Sequence, residues 1–201
     1  MEQEVFRFPS HIAKYRLVLL HGWGADAEDL LPVGKHLIED ISENIELVSL
    51  RAPQAHPQGL GRQWYSLFPT NWKEAEKSVI ELRLRLVSLS TVEIPLEKTV
   101  LFGFSQGAAM VMAVGLTLPL AGLVVCSGYP HKNLILDHYV PPVFLSHGTN
   151  DPVVPIQATK ELIKLFDQKG IIPQINLFEG AHEIPEAIHE EIRIFMRKCF
   201  I

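Results

Sequence analysis

The chain has 201 residues, 47% of them hydrophobic and 20% charged, enough apolar material to close a core in one domain and too much for extended disorder. Its formal net charge of −5 comes with no block of Lys or Arg, so it lacks the basic surface that a nucleic-acid backbone requires. Two cysteines are too few for a disulfide scaffold at this size.

The amino terminus, Met1-Glu2-Gln3-Glu4, is acidic and polar, unlike a secretory leader. No apolar run approaches the length of a membrane span, and a cytoplasmic protein without a membrane segment is expected. Further along, short apolar runs alternate with longer amphipathic ones, the pattern of a mostly parallel sheet with helices on both faces. The first strand is Arg16-Leu17-Val18-Leu19-Leu20, ending at the glycine-rich turn His21-Gly22-Trp23-Gly24, and a helix is predicted over 29–40. Glu46 to Leu50 is the next strand. Residues 51–70, rich in Pro, Gly and Gln, read as a long loop, and such loops are commonly functional. Asn71 caps a helix predicted to run to about Ser90, with Trp72, Ala75, Val79, Leu82, Leu86 and Leu89 on one face.

Thr99 to Gly103 is a strand, 106–118 a small-residue helix ended by Pro119, and 122–126 and 143–146 two buried strands. Cys126 reads as a small buried hydrophobe in the first of these, and Cys199, near the carboxyl terminus, is expected at the surface. The helix over 155–169 has Pro155 in its first turn and Gly170 at its end. The last strand is 174–178 and the last helix 184–198. No repeat or linker interrupts the pattern, so a single domain over 1–201 is expected.

Gly103-Phe104-Ser105-Gln106-Gly107 fits G-x-S-x-G. Three fixed residues alone are weak, but here a strand precedes them and a helix beginning with small residues follows, the context of a nucleophile elbow. The alternative is a serine that merely caps the helix. A serine nucleophile needs a base, and in this topology acid and then histidine follow it in the chain. Asp151 stands in the loop after strand 143–146, while Asp137 and Asp167 fall in a loop and a helix. Among nine histidines, His182 follows the last strand. His189 falls inside the last helix, on an expected solvated face. His131 and His138 follow no strand end. His147 precedes Asp151, and His21 is expected to brace the turn after the first strand. Ser105 is thus the expected nucleophile, His182 the base and Asp151 its orienting acid. The expected oxyanion donors are the backbone N–H groups of Gln106 and Trp23.

With these residues in place, the chain resembles the phospholipase/carboxylesterase family, which includes the acyl-protein thioesterases. The resemblance runs from about Leu17 to about Arg197. It is carried by Leu20-His21-Gly22-Trp23-Gly24-Ala25-Asp26, Arg51-Ala52-Pro53, Trp64-Tyr65 and Gly103-Phe104-Ser105-Gln106-Gly107-Ala108, then by His147-Gly148-Thr149-Asn150-Asp151-Pro152-Val153-Val154-Pro155 and Glu179-Gly180-Ala181-His182-Glu183-Ile184-Pro185. It implies the α/β-hydrolase fold, the same triad and oxyanion donors, and a serine esterase with no metal and no cofactor. Family members commonly carry Leu or another apolar residue where this chain has Trp23. The expected substrate is a small-molecule acyl ester or thioester of short to medium chain, with lysophospholipids included and a homodimer left open. Trp64, Tyr65, Leu67, Phe68 and Val154 are expected to wall the acyl site, although large aromatics in a loop can instead anchor it to the core. A dienelactone-hydrolase-like enzyme would use Cys at position 105, and a non-catalytic binding module would not need the triad.

Overall fold

The computed structural model describes residues 5–8, 12–136 and 139–200. The expectations for Met1 to Glu4, Asp137 and His138 lie outside these residues. Seven strands form the central sheet: β1 (Val5–Phe8), β2 (Tyr15–Leu20), β3 (Ile45–Leu50), β6 (Thr99–Phe104), β7 (Gly122–Cys126), β8 (Val143–Gly148) and β9 (Gln174–Phe178). Two residue pairs in the long loop, β4 (Gln54–Ala55) and β5 (Arg62–Gln63), make a separate antiparallel ribbon. The sheet order is β1-β3-β2-β6-β7-β8-β9. Every pairing is parallel except that of β1 with β3. β1 is an addition to the expected set: four residues at a sheet edge, with two of them exposed, carry too little periodicity to be read from sequence.

The two-residue period of a strand splits each buried run between two faces. Leu17 and Leu19 point to one core with Val100, Phe102 and Val124, whereas Val18 and Leu20 point to the other with Leu101, Leu123 and Val125. The first core is closed by α1 (Leu31–Leu37) and α5 (His189–Cys199), through Leu37, Ile192 and Met196. The second is closed by α2 (Trp72–Leu89), α3 (Gln106–Gly115) and α4 (Gln157–Asp167), through Leu82, Leu86, Val111, Leu162 and Phe166. The expected helix over 29–40 is shorter than predicted. It leaves helical geometry at Ile38 and continues as a 3-10 turn, Glu39–Asn44. Asn71 caps α2 by accepting from the Glu74 N–H, as the sequence implies. No helix among the described residues is long and apolar enough to cross a membrane.

Trp64 and Tyr65 close the long loop down onto the core. They are 1% and 0% exposed. The indole N–H of Trp64 donates to the His21 carbonyl (2.9 Å), its backbone N–H to Gln106 Oε1 (2.9 Å), and the Ser78 hydroxyl donates to its carbonyl. The Tyr65 hydroxyl lies 2.7 Å from that of Tyr129 and 3.0 Å from His131 Nε2. Burial raises both phenols, Tyr129 to about 12, and pulls His131 down to about 4, so all three rings are neutral at neutral pH.

Two outcomes follow from this packing. Trp64→Ala removes a fully buried aromatic and should cost about 3–5 kcal/mol, read as a lowered thermal or urea midpoint; a wild-type midpoint would contradict the burial. His131 binds its proton more readily in the unfolded chain, whose value is about 6.5, than in the folded one. Its contribution to stability is therefore complete above about pH 6.5 and declines as pH falls toward its folded value, with a slope of at most about 1.4 kcal/mol per pH unit. Urea midpoints measured between about pH 7 and about pH 5 should fall less steeply in His131→Gln than in the wild type.

Candidate active site

Ser105 joins the end of β6 to the start of α3 with φ +55° and ψ −119°, a conformation that costs a non-glycine residue of order 1–3 kcal/mol. The surrounding structure holds it there. Its N–H donates to the Cys126 carbonyl of the neighbouring strand (2.9 Å), and its carbonyl accepts from Ala109 (3.0 Å). The two flanking glycines are required by close approach. A Cβ on Gly103 would sit 2.6 Å from the Gly107 carbonyl carbon, and a Cβ on Gly107 would overlap the Leu20 carbonyl oxygen. The elbow is thereby pressed against the end of β2, and a Cβ on Gly22 would lie 3.3 Å from that of Ser105.

Asp151 follows β8 in a tight turn closed by its own N–H on the Gly148 carbonyl (3.2 Å). Its Oδ1 accepts from the N–H groups of Val153 (2.8 Å) and Val154 (2.9 Å), and its Oδ2 accepts from His182 Nδ1 (2.7 Å). Burial alone would raise this carboxyl. The hydrogen bond from His182 and those from Val154 and Val153 outweigh it and hold the group below the ordinary carboxylate value. His182 comes from the loop after β9. A Cβ on Gly148 would overlap the Ala181 carbonyl, so the absence of a side chain there lets the two loops touch and seats the imidazole on its carboxylate. Phe104, the variable residue of the elbow, packs its ring 4.7 Å from that of His182.

Ser105 and His182 line one cavity of about 570 Å³. Trp23, Leu67, Phe68 and Val154 line it too. The expectation for Trp64 and Tyr65 is corrected: both are buried and neither lines the cavity, because their backbone and ring groups are committed to His21, Gln106, Ser78 and Tyr129. The structure adds Phe104, Tyr129 and Ala158 to the lining. Tyr129 follows the carboxyl end of β7, the topological position that supplies Ser105, Asp151 and His182, and that signal could have found it.

His21 braces the loop that carries Trp23. Its Nε2 accepts from the Ala52 N–H (3.0 Å), which leaves Nδ1 to donate to the Gly22 carbonyl (2.8 Å); burial lowers its pKa and keeps it neutral. Asp26 and Arg51, from two of the sequence motifs, form an ion pair at 2.6 Å that ties the same loop to the end of β3. His189 is buried beside His36, ring centroids 5.2 Å apart, instead of lying on a solvated face. Cys126 is buried as expected, whereas Cys199 is only partly exposed, its sulfur against Gly122; burial pushes both thiols up to about 12. Among the described residues no group of three or more His, Cys, Asp or Glu side chains could hold a metal ion.

The phospholipase/carboxylesterase family profile matches residues 2–200. Acyl-protein thioesterase 1 of Candida albicans is 29% identical over 216 aligned positions, covering 92% of this chain and 93% of that protein. Among solved structures, esterase PE8 superposes with a TM-score of 0.85 at 27% identity, covering 96% of this chain and 97% of that one. A Bacillus cereus carboxylesterase, at 21% identity and a TM-score of 0.83, shares the fold over 98% of this chain and 94% of its own. The elbow, the parallel sheet and these matches together make the chain a serine hydrolase of the α/β-hydrolase fold, and it belongs to the phospholipase/carboxylesterase family.

Proposed function

We propose that residues 1–201 act as one hydrolase domain that cleaves short- to medium-chain acyl esters and thioesters through an acyl-enzyme on Ser105. The observation that carries this reading is the 2.7 Å bond between His182 Nδ1 and Asp151 Oδ2, with His182 and Ser105 lining one cavity. An ionised carboxylate only accepts, so Nδ1 carries the hydrogen and Nε2 is left with its lone pair. His182 Nε2 takes the Ser105 proton as the hydroxyl attacks the acyl carbon, and returns it to the departing alcohol or thiol. Asp151 holds the tautomer and stabilises the imidazolium. The N–H groups of Gln106, at the amino end of α3, and Trp23 receive the developing oxyanion. Water then repeats the sequence on the acyl-serine. The acyl-protein thioesterase relative supports thioesters as substrates; lysophospholipids share the same ester chemistry.

The chain-length reading rests on the indole of Trp23. Its N–H donates to Gln63 Oε1 (2.9 Å), Gln63 in turn donates to Gln54 (3.1 Å), and the ring packs edge-on against His56 (4.1 Å between centroids) and Phe68 (5.4 Å). A large ring so braced stands in the cavity where a smaller apolar residue would leave room for further methylenes. The thioester or ester carbonyl binds at the elbow, and the acyl chain runs toward Leu67, Phe68 and Val154.

Wild-type protein should be labelled by a fluorophosphonate, whereas Ser105→Ala should be unlabelled and inactive with an unchanged far-UV spectrum and melting temperature. Hydrolysis by Ser105→Ala at the wild-type rate, with contamination excluded, would refute the assignment. Trp23→Leu keeps the backbone N–H and should raise the ratio of kcat/KM for p-nitrophenyl decanoate to that for butyrate by roughly tenfold, since each newly accommodated methylene is worth up to ~0.8 kcal/mol. An unchanged ratio would mean that the acyl limit is set elsewhere.

A further inference from the structure

Two histidines lie against Asp151, and only one, His182, belongs to the proposed triad. His147, the penultimate residue of β8, is fully buried. Its Nε2 lies 2.8 Å from the Val154 carbonyl and 3.3 Å from Asp151 Oδ2, the oxygen that also receives His182. Its Nδ1 lies 2.7 Å from the hydroxyl of Thr159, itself buried, on α4. A carbonyl and a carboxylate can only accept, so Nε2 must carry a hydrogen, directed to Val154 with Asp151 on its flank. The Thr159 hydroxyl satisfies the other nitrogen, so both ring nitrogens are committed.

We propose that His147, anchored by Thr159, is a positioning residue for the catalytic acid: it clamps the 151–154 turn through the Val154 carbonyl and sets its N–H edge 3.3 Å from Asp151 Oδ2, which fixes the carboxylate under His182. This inference rests on the Ser105–His182–Asp151 reading. The turn is then held on both sides, since Val153 and Val154 donate to Oδ1 while His147 spans from the Val154 carbonyl to Oδ2. Both oxygens of Asp151 are already hydrogen-bonded, so what His147 adds is the position of the turn that carries them, and small displacements of a catalytic group are expensive in rate. Among the described residues, neighbouring elements bring further polar and ionisable groups toward the pair. The elbow contributes Ser105 and the loop after β7 contributes Tyr129, while Glu179 and Glu183 flank His182, with Glu183 Oε1 turned back onto the Ala181 N–H (3.2 Å).

The N–H dipole of His147, 3.3 Å from Oδ2, also offsets part of the carboxylate's charge. Without it, Asp151 presents more negative charge to the imidazolium, which then persists to higher pH. A purely structural role for His147 would lower stability and leave that limb of the profile where it is. The test is kcat/KM for p-nitrophenyl butyrate against pH in His147→Leu, His147→Gln, Thr159→Val and Thr159→Ser, together with thermal midpoints and fluorophosphonate labelling of the wild type. His147→Leu should lose about tenfold or more in kcat/KM, mainly in kcat, with the acid limb displaced upward. His147→Gln, which can place an N–H near the Nε2 position, should recover most of the rate. Thr159→Val, a near-isosteric change that decides the matter even if His147→Leu fails to fold, should move the limb the same way by less, and Thr159→Ser should restore it. Labelling of the wild type with an unmoved limb in Thr159→Val and in folded His147→Leu overturns this inference alone. An unlabelled wild type removes the triad reading and this inference with it.

Discussion

The carbonyl of Leu20 ends β2 against the backbone of Gly107, and no side chain fits between them. Much of the site is arranged around that contact. It sets how far α3 can advance along β6, and therefore where the strained backbone of Ser105 turns. It also brings the His21-Gly22-Trp23 loop beside the serine. The strain is tolerated because hydrogen bonds and packing on every side over-determine the turn, including the bond from Ser105 to the next strand. Gln106 extends the constraint outward. Its buried amide accepts from the Trp64 N–H and donates to the Tyr65 carbonyl (2.7 Å), so the loop that carries Leu67 and Phe68 is tied to the elbow itself.

Much of this was legible before any coordinates. Alternating apolar runs located six of the seven strands of the sheet, because a buried parallel strand needs a continuous apolar run and there are few other ways to use one. The proposed acid and base were chosen among 23 carboxylates and nine histidines because the topology asks for residues just beyond strand ends, in a fixed order. What the sequence could not distinguish was direction. Trp64, Tyr65, Leu67 and Phe68 stand within five positions of one another, yet Tyr65 is wholly buried and Phe68 is 83% exposed. In an irregular loop no period assigns alternate residues to a face, and only the three-dimensional partners, Gln106 and Ser78 among them, decide which rings turn inward. Helix ends differ from the expectation for a related reason: Ile38 precedes the 3-10 turn 39–44 and the last helix is entered through a second 3-10 turn, Glu186–Ile188, and such geometry depends on packing as much as on composition.

His147 illustrates the same limit from the other side. Its sequence position, ahead of Asp151, excludes it as the base in this topology, and the structure agrees by burying it. Yet exclusion from one role is silent about others. The contact with Asp151 depends on the turn closing through Val153 and Val154, and the contact with Thr159 on how α4 lies over β8. Neither follows from spacing alone.

Cys126 lies on β7 beside the elbow, and its carbonyl, not its sulfur, is what reaches Ser105. With both thiols of the chain sheltered and protonated well above neutral pH, neither offers a thiolate to a peroxide or a disulfide. The catalytic groups proposed here, the Ser105 hydroxyl, the His182 imidazole and the Asp151 carboxylate, contain oxygen and nitrogen as their only heteroatoms. Oxidative conditions that silence a hydrolase with a sulfur nucleophile find no corresponding nucleophile in the proposed triad.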